Sequence, residues 1–383
     1  MTERTMSFFE QVLVETAVAA PQQPVDRALV EQLLVENYGL RGHLEPIATE
    51  KDDTFRLRDD RDYLVKCSPA TEDPELVDLQ TAAMVHLEVT SPDLPVQRVI
   101  PTRDSAREVV IPGTEPYPRI LRVLSYVPGD LLKDGARTAT HWSAAGKMLG
   151  RLTVAMEGFS HPRDKRRLLW DMGNFDKLSE LLTFVDDEPS RTLADAVFAE
   201  YCDTVAPRLD DLERQVIHGD FSPYNAVVDS QDPQFVTGII DFGDVVHTCV
   251  AFDVAVGMAN LIGVDETDPW GHALDFLDGY LETRPLPADA VELLREIALG
   301  RLLLRALVVR WRAHGDPERH AYLVTHAARD WTYLRRAHEV DAGDVRSRLR
   351  AAAERSARRG AEAASVVASD NSELESPEGA HQR

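Results

Sequence analysis

His218-Gly219-Asp220-Phe221-Ser222-Pro223-Tyr224-Asn225, followed by Ile239-Ile240-Asp241-Phe242-Gly243-Asp244, is the stretch that decides how this chain reads. It spells His-x-Asp, an Asn five residues after that Asp, and an Asp-Phe-Gly closing a short apolar run. Transfer of a phosphoryl group from a nucleotide to a hydroxyl needs a carboxylate near the attacking oxygen. It also needs oxygen ligands for magnesium beside the phosphates. Asp220 is the expected general base, taking a hydrogen bond from the acceptor hydroxyl and aiming it at the γ-phosphate. Asn225 offers a neutral carbonyl oxygen and Asp241 a charged one, so these two are the expected magnesium ligands. His218 is expected to brace the loop by hydrogen bonding, and Gly243 to permit a tight turn after the metal ligand. A turn or capping aspartate is the bland alternative for Asp220, and its joint spacing with Asn225 and Asp241 argues against that.

The chain around this stretch is 383 residues long, 44% hydrophobic and 28% charged, enough for two lobes over a large core. No apolar run is long enough to cross a bilayer, and Met1 to Glu10 lacks the basic-then-apolar layout of a secretion signal. Three scattered cysteines, Cys67, Cys202 and Cys249, speak against a disulfide framework and for a reducing, cytoplasmic setting. The formal charge of −23, from 42 basic and 65 acidic side chains, argues against nucleic acid as a partner. The same acidity suits a cationic small substrate, or simply keeps the protein soluble.

Hydrophobic periodicity divides the chain. Residues 1–24 read as a flexible lead-in. Residues 25–127 form the expected N-terminal nucleotide-binding lobe. It opens with a helix capped by Asp26 and continues with strands His43–Ala48, Thr54–Arg58 and Tyr63–Cys67. A helix after Pro74 and strands Glu108–Pro112 and Arg119–Tyr126 complete it. That order predicts an α+β lobe with a small antiparallel sheet. Residues 128–342 form the expected C-terminal catalytic and substrate lobe, mainly helical. Its helices fall at Thr138–Gly158, Leu193–Leu209, Val291–His314 and His320–His338, with short strands near Val216–Asp220, Ala226–Val228 and Val236–Asp241. Residues 343–383 read as a polar, largely disordered tail whose arginines form at most an exposed helix.

Lys66 ends the run Tyr63-Leu64-Val65-Lys66 in the third strand, upstream of a helix and the catalytic loop, where a lysine neutralises α- and β-phosphate oxygens. Its helix partner is contested among Glu75, Asp78 and Gln80; Gln80 shares a face with Met84 and Leu87 and is expected to point inward. The turn Glu50-Lys51-Asp52-Asp53-Thr54 fills the phosphate-loop slot without glycines, leaving backbone N–H groups or the Thr54 hydroxyl to contact phosphate. The missing glycines, and the lack of an Ala-Pro-Glu segment after Asp241, argue against a protein kinase. For an ammonium group of the acceptor, Asp171, Asp244 and Asp253 are candidates. Asp253 has a rival role bracing the loop from the following helix, and Trp170 reads equally as pocket wall or core.

These residues resemble the aminoglycoside phosphotransferase and choline kinase superfamily over roughly Leu40 to Ala337, with the motifs HGDFSPYN and GIIDFGD at its centre. The resemblance implies a two-lobed protein-kinase-like fold. It also implies base and magnesium roles for Asp220, Asn225 and Asp241, and phosphate binding by Lys66. The linker Ser125-Tyr126-Val127 would then receive the purine. Leu168-Leu169-Trp170-Asp171-Met172, the tyrosine before Asn225, Asp52-Asp53-Thr54-Phe55, Gln80 and the run from Ile240 to Thr248 are most similar to the hydroxylysine kinase group. Gly219 and Phe221-Ser222-Pro223 depart from that group close to the base. The implied activity is a kinase using ATP or GTP with Mg2+ on a hydroxylated amine, a hydroxylysine-like amino acid first. Aminoglycosides, homoserine and choline or ethanolamine follow. A non-catalytic nucleotide-binding protein of the same fold is the alternative from another class.

Overall fold

A computed structural model describes residues 6–16, 24–49, 51–111, 113, 116–135, 138–315 and 320–374. In chain order the helices are α1 Phe8–Thr16, α2 Arg27–Leu33, α3 Pro74–Thr90, α4 Leu132–Gly135, α5 Ala139–Ala155 and α6 Glu188–Thr204. They continue with α7 Val250–Ala259, α8 Gly271–Thr283, α9 Ala288–Gly315, α10 His320–Glu339 and α11 Ala342–Leu374. The strands are β1 His43–Ile47, β2 Asp53–Arg58, β3 Asp62–Cys67, β4 Val99–Ile100, β5 Val109–Ile111 and β6 Arg119–Ser125. After these come β7 Asp130–Leu131, β8 Arg214–Ile217, β9 Ala226–Val228, β10 Val236–Ile239 and β11 Val246–Cys249.

The N-terminal sheet runs β1-β2-β3-β6-β4, with β5 also on β6, and every pairing is antiparallel. Its side-chain alternation sets where the site lies. In β3, Tyr63, Val65 and Cys67 point to one face and are buried with Phe55, Leu57, Leu121, Val123 and the helical residues Val30 and Leu34. Period-two geometry sends Lys66 to the opposite face, with its cross-strand neighbours Thr54 and Arg122. That face looks toward α3 and the cleft. α3 itself starts where Asp73 accepts a hydrogen bond from the Glu75 amide and Pro74 occupies the first turn.

The C-terminal half is helical, with two small antiparallel sheets, β10-β9-β7 and β11-β8. One buried cluster joins α5, α7, α8 and α9 and reaches Leu79, Met84 and Leu87 of α3. The halves are also stitched at the backbone: the Ile239 amide donates to Pro95 O (2.7 Å) and the Gln97 amide to Ile239 O (3.0 Å).

Two expectations fail at the ends. Within the supposed flexible lead-in, residues 8–16 are a helix with Phe9 and Val12 buried, Phe9 lying edge-on to Trp311 at 5.3 Å. Burying such side chains is worth roughly 1.5–3 kcal/mol each, enough to pin a short helix that is marginal alone. Within the supposed disordered tail, α11 runs from Ala342 to Leu374 and buries Val345, Leu349 and Ala352. Three of its arginines reach the helical core, Arg346 pairing with Glu296, Arg348 with Asp268 and Arg355 with Asp278, while Arg358 stays exposed beside Glu354 of the same helix. Residues 375–383 of that expected tail and 17–23 of the lead-in lie outside the described residues. Among the described residues no helix is long and apolar enough to cross a membrane.

Candidate active site

The loop after β8 is held from below by one carboxylate. α7 follows β11 directly, which places Asp253 in its first turn under the loop. Asp253 is 1% exposed. Its Oδ2 accepts from the His218 amide (3.1 Å) and its Oδ1 from the Gly219 amide (3.0 Å). Burial raises its pKa to about 7 against the pull of those two amides. The His218 ring spans the loop. Its Nδ1 accepts from the Asp220 amide (3.3 Å), so the proton sits on Nε2, which donates to Ile240 O (3.2 Å). Burial drives this imidazole down to about 4, and Phe242 packs edge-on at 4.9 Å. Gly219 turns the chain at φ +81°; a Cβ there would lie 2.4 Å from Asp244 O.

That frame puts Asp220, Asn225 and Asp241 together. Asn225 Nδ2 donates to Asp220 Oδ2 (2.7 Å) and to Asp220 O (3.0 Å), which leaves the Asn225 Oδ1 lone pairs for a cation. Asn225 O accepts the Ile240 amide at 2.9 Å, so Asp241 follows one residue beyond. Asp241 is left-handed at φ +62°, a conformation non-glycine residues adopt at a cost. Its Oδ1 accepts from the Gly243 amide (3.1 Å) and faces Lys66 Nζ at 3.5 Å. The Lys66 ammonium, more than any other group, holds the Asp241 carboxyl below its usual range. Burial, then the nearby Asp244 carboxylate, pushes Asp220 well above that range, with Arg301 pulling the other way. Among the described residues, His, Cys, Asp and Glu form no cation cage of three or more. One amide and one carboxylate oxygen suit magnesium, which takes its remaining ligands from phosphates and water.

The wall expected to meet the nucleotide is held together differently from expectation. Lys66 Nζ pairs with Asp52 Oδ2 at 2.9 Å, from the turn before β2, and not with α3. Burial alone would lower its pKa, but the Asp241 and Asp52 carboxylates raise it. Gln80 does point inward, yet its Oε1 accepts from Arg122 Nη2 (2.8 Å). Arg122 sits opposite Lys66 in the sheet and takes the helix face first. Glu75 reaches Arg163 and Asp78 reaches His161 instead. Thr54 is buried beside Lys66. In the linker, Ser125 Oγ accepts the Arg98 amide (2.9 Å), Arg56 lies 4.3 Å over the Tyr126 ring, and Val127 packs near Gly238.

Among the residues expected to meet the acceptor, Asp244 lies above Gly219, its carboxyl raised by burial and drawn down by Arg166. Asp171 does not face it as a free carboxylate. It caps the short helix Met172–Lys177, its Oδ1 accepting from the Gly173 amide (3.0 Å) and Thr248 Oγ1 (2.9 Å). An ammonium-binding role for Asp171 therefore competes with a satisfied cap. Trp170 is half-buried and stacks under the Arg301 guanidinium at 4.8 Å. Asp253 spends both oxygens on the loop amides, so it is removed from the substrate candidates.

Several residues at the site escaped the sequence reading. Gln97 is 4% exposed; its Oε1 accepts the Asp241 amide (3.3 Å) and ties the linker to the Asp-Phe-Gly turn. Arg166 donates to Gly243 O and to Val245 O (3.0 Å). Asp52 and Arg301 complete the set. Only Arg301 carried a signal, a lone cation among Ile297, Ala298, Leu302, Leu303 and Leu304. Asp52 and Arg166 are polar residues in polar stretches.

Comparison with known proteins follows the same lines. Residues 43–288 match the phosphotransferase enzyme family (APH), well over half of the chain. A hydroxylysine kinase of Mus musculus is 23% identical over 343 residues, covering 82% of this chain and 90% of the relative. One from Xenopus laevis is 23% identical over 334 residues, covering 81% and 88%. Among solved structures, a microcompartment-associated aminopropanol kinase superposes with a TM-score of 0.60 at 20% identity, covering 83% of this chain and 99% of that one. That likeness shows the fold, a two-lobed protein-kinase-like α+β architecture.

Proposed function

The chain belongs to the phosphotransferase enzyme family and is a small-molecule kinase; we propose that it moves the γ-phosphate of ATP or GTP, with Mg2+, to a hydroxyl of a small amino-bearing molecule. A hydroxylysine-like amino acid is the foremost acceptor. The single observation that carries this is the Asp220–Asn225 contact at 2.7 Å lying one residue step from Asp241, itself 3.5 Å from Lys66. Hydroxylysine kinases matching four fifths of the chain support the acceptor class. Three free cysteines and the acidic surface support a cytoplasmic enzyme without nucleic-acid partners.

In this reading Asp220 accepts the acceptor hydroxyl's hydrogen bond and holds its oxygen in line with the phosphorus. Its raised pKa makes it a competent proton acceptor near neutrality as the hydroxyl ionises late. Asn225 Oδ1 and Asp241 hold Mg2+, which supplies positive charge to offset the triphosphate. Lys66 gives up Asp52 for phosphate oxygens. Thr54 and the amides of its turn lie beside them, and Ser125–Val127 border the purine. His218, Gly243 and Asp253 keep the loop in shape, and Asp244 faces the ammonium group. Catalysis is then chiefly positioning in a closed, water-poor cleft.

The test is a panel of 5-hydroxylysine, homoserine, ethanolamine, choline and an aminoglycoside. Each is incubated with Mg2+ and either ATP or GTP and read by mass shift of the acceptor. Phosphorylation of 5-hydroxylysine above the others is the expected result. Phosphorylation of choline or the aminoglycoside alone would overturn the acceptor assignment.

A further inference from the structure

We propose that Arg301 reads a carboxylate on the acceptor and so selects an amino acid over the matching amino alcohol; this rests on the kinase reading above. Four arginines of α9 allow the comparison. Arg295 donates to Glu200 (2.7 Å) and Glu296 (2.9 Å). Arg305 grips Asp330 through two nitrogens (2.7 and 2.8 Å) and Asn260 through a third. Arg310 reaches Asp187 at 3.1 Å. Arg295 and Arg310 each bury a partnerless Nε, but each also has a carboxylate in hydrogen-bond range. Arg301 has none. Its Nη2 lies 3.7 Å from Asp220 Oδ1, an ion-pair distance but beyond hydrogen-bond length, and among the described residues its Nε and Nη1 have no hydrogen-bond partner.

Arg301 is 8% exposed, so this cation is removed from water without its donors being satisfied. Such burial is unfavourable unless an anion completes it. The guanidinium carbon lies 4.8 Å from the centre of the Trp170 ring, a cation–π contact that helps hold the side chain in place. It overlooks the oxygen that would receive the acceptor's hydroxyl proton. Asp244, with Gly219 beneath it, faces the same ground. A cation and a carboxylate about one aspartate are complementary to a zwitterion, with the substrate hydroxyl delivered to Asp220 between them. Planar, multi-donor recognition is what a carboxylate asks of arginine and a lone ammonium does not. An amino alcohol would leave the Arg301 donors as unfilled as they are now, which is how a polar site rejects an analogue lacking one group.

The experiment compares matched acceptors: 5-hydroxylysine with 2-hydroxy-1,5-diaminopentane, and homoserine with 3-aminopropanol. The quantity read is the kcat/KM ratio within each pair. Wild type is expected to favour the carboxylate-bearing member of its preferred pair by about tenfold or more. Arg301→Met is expected to collapse that ratio by about tenfold, chiefly through KM of the amino acid. Arg301→Lys, which keeps a charge but loses the fork, is expected to fall between them and serves if the methionine variant does not fold. A wild type indifferent to the carboxylate overturns the inference. So do variants that lower both members alike, since Arg301 then only positions Asp220. If wild type phosphorylates choline or an aminoglycoside but neither pair, the inference falls while the kinase reading stands. Turnover with no acceptor at all sinks both.

Discussion

The two walls of the cleft are held by different means. On the C-terminal wall the loop is fixed by backbone groups: Asp253 on the His218 and Gly219 amides, His218 on Ile240 O, Asp241 on the Gly243 amide. On the N-terminal wall the contacts are side chain to side chain: Lys66 on Asp52, Lys51 on Glu72, Gln80 on Arg122. Amide donors sit on a framework and cannot turn away, so that wall is organised before any ligand arrives. Charged side chains on rotatable stems exchange partners readily. The wall proposed to meet a triphosphate therefore carries a carboxylate, Asp52, where phosphate oxygens would be welcomed.

The sharpest way to break this contrast is Asp220→Ala. We expect kcat to drop by roughly 10²–10⁴ with Mg-nucleotide affinity by calorimetry little changed; retained turnover would show that the rigid wall does not do the chemistry. Next in size is a pH effect. The unfolded chain protonates His218 near its ordinary value of about 6.5, while the native ring stays neutral until about 4. Across that window the unfolded state binds the extra proton, so stability falls with acid by about 1.4 kcal/mol per pH unit from this group. Denaturant melts of His218→Asn should lack that share of the slope, and coincident slopes would mean the native ring is charged. Asp253→Ala strips two buried amides of their acceptor, and melts should show a loss of about 2–3 kcal/mol. A loss below about 0.5 kcal/mol would deny the loop its brace.

The other wall should respond more mildly. Lys66→Met is expected to weaken Mg-nucleotide binding about 10- to 50-fold by calorimetry, the scale of one charge-assisted phosphate contact. Smallest is Asp52→Ala, expected to tighten nucleotide binding about two- to fivefold by freeing Lys66 from a carboxylate that competes with phosphate. Weaker binding in that variant would mean that Asp52 serves the bound state, and the contrast between the walls would be lost.

How much of this was legible follows from sequence distance. The grouping of Asp220 with Asn225 was readable because five residues of one turn link them. The strand carrying Lys66 was readable from its alternation, Tyr63, Val65 and Cys67 against Leu64 and Lys66. The inward turn of Gln80 was right, but its partner was not. α3 presents one face to a sheet that offers both Lys66 and Arg122, and spacing along a helix says nothing about which cation wins. Asp171 looked like a free carboxylate because its cap partners, Thr248 among them, are 77 residues away or in a short helix no periodicity announces. The tail misled by composition. Several of its arginines look solvated until Glu296 of α9, Asp278 of α8 and Asp268 just before α8 are set beside them.

From sequence alone came the type of reaction, the α+β two-lobed plan and the short loop that groups Asp220 with Asn225, because side-chain chemistry and local turn spacing decide these within a few residues. Tertiary structure alone decided which carboxylate holds Lys66, that Asp241 meets it across 175 residues of chain, and that Arg301 lies 3.7 Å from Asp220. Those depend on which faces of distant elements the core presses together, and that is settled by the burial of the whole apolar set at once rather than by any one stretch of it.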